Sequence, residues 1–335
     1  MYCIAVHCAW EVVYSVNQEA DIVFCNQGRL AILARHKAKI ETYIQHSRYT
    51  PGFIQMPIKI TKADGTVEYF KLEKLRRSLR RSGARPEEVN HVIAELTPTL
   101  RDGISTQEIY RNAFKLLHSS SSPVAARYSL RRALFNLGPT GFPFEKFIAR
   151  LFALDGYTTD TGRVIQGTCA EHEIDIAAYK ADHSFVGEAK FHARPGIKTD
   201  LQVAMYSYAR LLDLRDSKIC HEDICGIKEF WLITNTKFTS TAREYGTCVG
   251  LKLLSWDYPR NDNLHDRIQR AGIYPITVLQ GLSAKQAKIL IERDIILCSD
   301  LVAQPHTLNQ LHLGNQQHEA VLQEARDLCR KIGTI

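Results

Sequence analysis

The stretch Glu173-Ile174-Asp175-Ile176-Ala177-Ala178-Tyr179-Lys180-Ala181-Asp182-His183-Ser184-Phe185-Val186-Gly187-Glu188-Ala189-Lys190-Phe191 reads as two strands joined by a tight turn. Side chains alternate faces along a strand, so Ile174, Ile176 and Ala178 share one face and Glu173, Asp175 and Ala177 the other. On the returning strand Phe185, Ala189 and Phe191 take the apolar face, and Glu188 and Lys190 project together from the opposite one. With Ala181-Asp182 as a two-residue turn, Lys180 pairs with His183. Counting back sets Asp175 opposite Glu188, with Cβ atoms roughly 5 Å apart. Two carboxylates that close repel unless a cation lies between them. Oxygen donors suit Mg2+ or Mn2+. Lys190 is then placed to orient or deprotonate an attacking water, or to steady a charged phosphate. The bland alternative is a solvent-facing hairpin with ordinary surface charges.

The flanking segments read as α/β. A helix over 143–154 has Phe144, Phe147, Ile148, Leu151 and Phe152 on one side. After the hairpin come a helix over 199–214, a buried strand at Glu229–Thr234, a helix over 239–248 and a strand at Leu251–Trp256. Gln202, Tyr206 and Arg210, spaced by four, share a helix face. Lys190, Lys198 and Arg210 together are candidates for phosphate contacts. The same spacing also describes any solvated helix face.

This central region, about 143–258, resembles the PD-(D/E)xK nuclease superfamily, most closely the Mrr-type restriction endonucleases. The matching residues are Phe144-Glu145, His172-Glu173-Ile174-Asp175, Gly187-Glu188-Ala189-Lys190, Trp231-Leu232-Ile233-Thr234-Asn235 and Leu253-Leu254-Ser255-Trp256. The resemblance implies that Asp175 and Glu188 hold the metal, Lys190 serves the nucleophile and Glu145 assists. It also implies that Gln202 and Tyr206 face the centre. Many Mrr-type members carry Gly-Asp-Gly-Gly before the Ile-Asp. Here Ala170-Glu171-His172-Glu173 stands instead, closer to junction-resolvase-like relatives.

Upstream, Ile58–Ile60 reads as a strand, Ala63-Asp64-Gly65-Thr66 as a turn and Val67–Phe70 as a returning strand. Helices are expected over 71–83, 86–99, 105–117 and 123–136, with Pro86 and Pro123 in first turns. Ser119–Ser122 reads as an interhelical loop, and Gly138–Pro143 as the domain boundary. Residues 58–137 resemble the ATP-cone, the regulatory nucleotide-binding domain of ribonucleotide reductases and their repressors. The matching residues are Ile60-Thr61-Lys62-Ala63-Asp64-Gly65, Phe70, Lys74-Leu75, Ser78-Leu79, Gly103-Ile104-Ser105-Thr106 and Ala125–Tyr128. The resemblance implies contacts from Lys62, Glu68, Lys74 and Thr106 to ATP or dATP. Ala63 stands where the family usually has arginine. With no Walker-type glycine loop, binding without hydrolysis is expected. Arg76, Arg77, Arg80 and Arg81 read as a solvated basic stripe.

Helices fill 282–335. Leu279-Gln280-Gly281-Leu282-Ser283 followed by Ala284–Arg293 weakly resembles a helix-hairpin-helix element, with Arg293-Asp294-Ile295 where a second glycine is expected. At the other end, a domain pattern begins only after Met56. Residues 1–55 read as an extension of doubtful origin before a natural start at Met56, either a disordered tail or an accessory element with a helix over Ile32–Ile44.

The expected fold class is thus multidomain α/β. A small, mostly helical ATP-cone with a β-hairpin covers 56–137. A restriction-endonuclease-like α/β/α core with a central mixed sheet covers 138–260, and a helical tail covers 261–335. The chain has 335 residues and a formal net charge of +7, which permits a polyanionic partner without demanding one. No apolar run approaches the ~18 residues of a membrane-spanning helix. Nine scattered cysteines fit reduced thiols and a cytoplasmic location better than a zinc site at Cys220 and Cys225. The expected function is a DNA endonuclease of restriction or defence type, dependent on Mg2+ or Mn2+ and regulated by adenine nucleotide. Its partners would be DNA and nucleotide, with a homodimer or higher oligomer left open. The alternatives are a repair or junction-resolving nuclease of the same fold, and a non-cleaving, nucleotide-responsive DNA-binding regulator.

Overall fold

A computed structural model describes residues 58–181, 183–219 and 226–330, together with three short strands before them. Asp182, Cys220 and Cys225 lie outside the described residues, and so do the readings that rest on them. The chain divides into two units, Met1–Met56 and Pro57–Ile335.

In the first unit, β1 (Ala5–Val6), β2 (Ile22–Asn26) and β3 (Arg29–Leu33) form an antiparallel sheet in the order β1-β3-β2. Ile32 and Leu33, expected to open a helix, are extended and pair with Val23 and Ile22. The rest of the expected helix, 34–44, and the other readings of residues 1–55 lie outside the described residues.

The second unit opens with β4 (Lys59–Thr61) and β5 (Val67–Tyr69), an antiparallel hairpin. Its turn needs Gly65, whose φ is 80°, and is closed by Lys62 N–H donating to Thr66 O at 2.8 Å. Helices α1 (Leu72–Arg81) and α2 (Pro86–Leu96) come next, then β6 (Ile104–Ser105), parallel to β4. After these are α3 (Thr106–Ser120) and α4 (Ser122–Phe135). The expected serine loop shrinks to Ser121, because the Ser119 and Ser120 hydroxyls donate back to carbonyls of the last helical turn. Ile60, Leu79, Val92, Leu117 and Ala125 form the core of this module. Leu130 and Leu134 of α4, with Leu137 just beyond it, belong instead to the core of the central region, so the two modules share a packed boundary.

After α5 (Phe142–Leu154) come β7 (Thr158–Gln166), β8 (Glu171–Lys180), β9 (His183–Lys190), β10 (Lys198–Thr199), α6 (Leu201–Leu214), β11 (Glu229–Thr234), β12 (Lys237–Phe238), α7 (Ser240–Cys248) and β13 (Lys252–Leu254). The main sheet is mixed and has the order β13-β11-β9-β8-β7. β7, β8 and β9 run antiparallel, whereas β9, β11 and β13 are parallel. Helices cover both faces. Phe144, Phe147, Ile148 and Phe152 of α5 pack with Ile176, Ala178, Phe185 and Ala189. Ala204 and Leu214 of α6 and Ala242 of α7 pack with Ala177, Val186, Phe230 and Leu232.

The remaining helices are α8 (Leu264–Ala271), α9 (Ala284–Ile291), α10 (Cys298–Ala303) and α11 (Asn315–Cys329). They share the core of α4 and α5 through Ile268, Leu290, Leu301 and Leu322. Ion pairs join them to the earlier modules: Arg81 to Asp266, and Lys146 to Asp294, each at 2.5 Å. Arg77, Arg80 and Arg81 are exposed, as expected of a solvated stripe, and Arg81 in addition ties the stripe to α8 through Asp266. Among the described residues no helix is long and apolar enough to cross a membrane.

Candidate functional site

The β8–β9 ladder pairs Lys180 with His183 and continues to Ile176 with Gly187, so Asp175 falls opposite Glu188 at its end. There the ladder gives way to a side-chain bond: Ala189 N–H donates to Asp175 Oδ2 at 2.8 Å. On the other side of β8, pairing with β7 runs from Thr161–Ile176 to Arg163–Ile174 and skips Asp175 and Gly162. Gly162, at φ 64°, makes that interruption. The strict alternation expected of β8 breaks at the same point. Ile176 and Ala178 pack toward α5, whereas Ile174 packs in the opposite cluster with Ala177 and Val186. A local break in the ladder frees Asp175 from the sheet's regular geometry.

Glu145, on the first turns of α5, is half-buried beside this pair. Burial first, and then the charges of Asp175, Glu188 and Glu173, push its carboxyl up to about 7. Burial and the Glu188 charge push Asp175 up to about 6, against the pull of the Ala189 N–H and Arg210. Crowded acids of this kind are what a bound cation would relieve. Among the described residues no set of three or more His, Cys, Asp or Glu side chains is arranged to hold a metal ion.

Arg210 departs from expectation. Instead of reaching out to phosphate, its guanidinium is buried: Nη1 donates to Glu188 Oε2 and Nη2 to the Glu173 carbonyl. Its helix face explains this, because Ala204, Ser207, Arg210 and Leu214 are the buried positions of α6. Tyr206 is exposed, with its ring centroid 5.5 Å from the Arg210 Cζ, so it meets the site through Arg210. Gln202 is exposed and makes no side-chain hydrogen bond among the described residues. Lys190 is exposed at the end of β9, opposite Thr234 of β11, and forms no ion pair among the described residues. The structure thus brings Glu145, Asp175, Glu188 and Arg210 together, sets Lys190 at the rim and leaves Gln202 outside.

Asp213, at the far end of α6, clasps the turn that leads into β8. Its Oδ1 accepts from Cys169 N–H at 2.7 Å, its Oδ2 accepts from Ala170 N–H at 3.1 Å, and His172 Nε2 lies 2.7 Å from the same oxygen. His172 first, and then these amides, hold the Asp213 carboxyl down at about 2. A depressed acid stabilises the fold above its unfolded value of 3.8, and that contribution is lost as pH falls toward about 2. Asp213→Asn should therefore lower the melting temperature at neutral pH, and the gap from the unaltered protein should close as the solution is acidified. Equal melting temperatures at neutral pH would remove the clasp.

Of the residues expected to contact nucleotide, Lys62, Glu68 and Lys74 meet beside the β4–β5 hairpin. Glu68 on β5 bridges Lys62 Nζ at 2.6 Å and Lys74 Nζ at 2.9 Å. Lys62 first, then Lys74, hold its carboxyl below the usual range. Thr61 pairs with Ser105, and Thr106 follows as the first residue of α3. Ser105 caps α3 by accepting from Glu108 N–H at 3.0 Å.

The hairpin before α9 does not offer free amides to a phosphate. Gln280 N–H lies 3.0 Å from both oxygens of Glu324 on α11, and Gly281 N–H lies 3.3 Å from one of them. An internal carboxylate already fills the position an external anion would take. Asp294, at the position where the sequence pattern calls for a second glycine, adopts the left-handed conformation with φ 65°.

Residues 58–135 match the ATP cone domain, and residues 274–329 match the family described as AF1548-like, C-terminal. An uncharacterized protein of Archaeoglobus fulgidus is 34% identical over 180 residues, which span 53% of this chain and 98% of that protein. A solved structure described as "Crystal Structure of Protein of Unknown Function AF1548" superimposes with a TM-score of 0.46 and 32% identity. It covers 57% of this chain and 98% of its own. By that identity over nearly the whole of the Archaeoglobus fulgidus relative, the chain belongs to the same family, and it carries in addition an ATP cone domain.

Proposed function

We propose that the chain is a metal-dependent DNA endonuclease of restriction or defence type, under the control of an adenine nucleotide bound at the ATP cone. The observation that carries this reading is the meeting of Asp175 and Glu188 across the end of the β8–β9 ladder, with Glu145 pushed up to about 7 beside them. The mixed sheet with helices on both faces supports a restriction-endonuclease-like core similar to Mrr-type enzymes. The donors fit a hard divalent cation such as Mg2+ or Mn2+, which takes carboxylates and completes its shell with water. Asp175 and Glu188 would hold it, and when bound it supplies polarisation of the phosphate and activation of water.

The chain's own residues do the rest. Arg210 fixes the Glu188 carboxylate, and Ala189 N–H fixes Asp175 Oδ2. Glu145, whose carboxyl burial and the neighbouring carboxylates push up while no cation among the described residues offsets them, is placed beside the pair to take up or release a proton. Lys190 Nζ presents a positive charge at the rim, where a phosphate oxygen or attacking water would lie.

Control by nucleotide is supported by a direct contact. Gly196, in the loop leaving β9, sits so close to the nucleotide-contact turn that a Cβ there would lie 3.3 Å from Asp64 backbone atoms. The turn carrying Lys62 and the loop beyond Lys190 therefore touch. A second reading, a nucleotide-responsive DNA-binding regulator without cutting activity, is favoured by one observation: Glu188 already has a guanidinium partner. The test is incubation of the full chain with supercoiled plasmid and a branched duplex, in Mg2+, with and without ATP and dATP. Nicked or linear plasmid supports the nuclease, cleavage of branched DNA alone supports a junction-resolving enzyme, and binding without cutting supports the regulator.

A further inference from the structure

We infer that the chain has a second anion site, a phosphate pocket at the carboxyl ends of the parallel strands, separate from the carboxylate centre. A cavity of about 300 Å3 opens there, with Lys198, Lys237 and Arg243 among its lining residues. The cations come from three separate elements. Lys198 of β10 pairs in register with Lys237 of β12, and Arg243 comes from α7. One carboxylate, Asp257, lines the same cavity and is bonded to Lys237. Lys198 and Arg243 form no ion pair among the described residues, so the cavity keeps an excess of two positive charges. Arg243 is steadied by the ring of Tyr258, 5.7 Å from its Cζ, which fixes the guanidinium without neutralising it. Ser240 and Thr239 add hydroxyls to the lining. Cations and hydroxyls converging with so little acid suit a doubly or singly charged tetrahedral oxyanion, and a fixed guanidinium suits phosphate oxygens in particular.

The pocket is tied to the strand that carries Lys190. His192 N–H donates to Asn235 Oδ1 at 2.9 Å, Asn235 Nδ2 donates to the His192 carbonyl at 2.8 Å, and His192 Nε2 lies 3.1 Å from Thr199 Oγ1. These bonds hold the exits of β9 and β11 and the β10 edge as one surface. A phosphate seated in the pocket lies on the same edge of the sheet as Lys190. The ligand is a phosphate ester; that it belongs to a DNA strand rests on the nuclease reading, whereas the pocket itself does not.

The experiment uses the full chain in chelator, so that no cutting takes part. Binding of a fluorescent 5′-phosphorylated duplex is followed over a salt series, and stabilisation by inorganic phosphate is followed by thermal melting. Both are repeated with Lys198→Gln/Arg243→Gln and with Arg243→Lys. The double variant should bind duplex about tenfold or more weakly, with a salt slope smaller by about two, since each lost phosphate contact removes about one unit. Arg243→Lys should recover part of the loss. If the double variant loses stabilisation by inorganic phosphate while duplex binding is unchanged, the pocket takes a small free phosphate ester. Equal responses of the unaltered protein and the double variant to both probes would overturn the site. If the variants match the unaltered protein in both assays while the unaltered protein cuts plasmid in a separate Mg2+ incubation, the pocket is overturned and the nuclease reading stands.

Discussion

Glu188→Ala should abolish metal-dependent DNA cleavage, with a loss of about 10²–10³-fold or more, as expected when a group that stabilises developing charge is removed. Asp175→Ala should do the same, and both should weaken metal binding in calorimetry because each removes a carboxylate donor. Lys190→Ala should lose cleavage but keep metal binding. The structure adds a complication at Glu188, whose partner Arg210 is buried. Deleting one member of such a pair strands the other and can cost about 3–5 kcal/mol of stability. Glu188→Gln keeps an acceptor for the Arg210 guanidinium and loses only the charge. It should fold with a near-normal melting temperature and still fail to bind metal tightly. Cutting at the normal rate by folded Glu188→Ala or Glu188→Gln protein would sink the proposed centre.

The hairpin is legible in the sequence because a two-residue connection leaves one register, and that register carries Asp175 to Glu188. The helix over Phe142–Leu154 is equally plain, since its buried positions recur at three and four residues. β7 escapes a sequence reading for a physical reason. It is an edge strand of mostly polar residues, Thr158-Thr159-Asp160-Thr161-Gly162-Arg163, and needs no apolar alternation. Its partner β8 supplies the burial. The two-residue strands β10 and β12 carry no periodic signal at all, and only their pairing reveals them.

At the site, Arg210 is where sequence and structure part. Spacing by four from Gln202 and Tyr206 suggests a common polar face, but each step of four residues carries a helix about 40° past a full turn. By Arg210 the row has moved onto the side occupied by Ala204, Ser207 and Leu214. Reading the apolar positions first places Arg210 inside, where a guanidinium must find an acid. Glu188 is that acid. The Glu324 carboxylate under the Gln280–Gly281 amides has no local signal, because acid and amides are 44 residues apart in the chain.

Lys62→Ala with Lys74→Ala should abolish adenine-nucleotide binding to the full chain in calorimetry. The two ammonium groups converge on Glu68 from a turn and a helix, which is the geometry in which they could instead meet adjacent phosphate groups. Charge-assisted hydrogen bonds contribute about 1.5–3 kcal/mol each, so losing two should weaken binding by more than about 100-fold. Glu68 is not an obstacle: its bridges lie at the surface, where such pairs are weak and readily exchanged. The nucleotide-bound turn would then press differently on Gly196, whose φ of 94° already bars most side chains. Gly196→Val should disturb that contact and change how cleavage responds to ATP or dATP, while nucleotide binding itself survives. Coupling must also run in reverse, so DNA binding should shift nucleotide affinity by the same factor. Equal cleavage rates across full ATP and dATP titrations, with binding confirmed, would make the ATP cone a passive attachment. Steady release of ADP would make it an ATPase rather than a sensor.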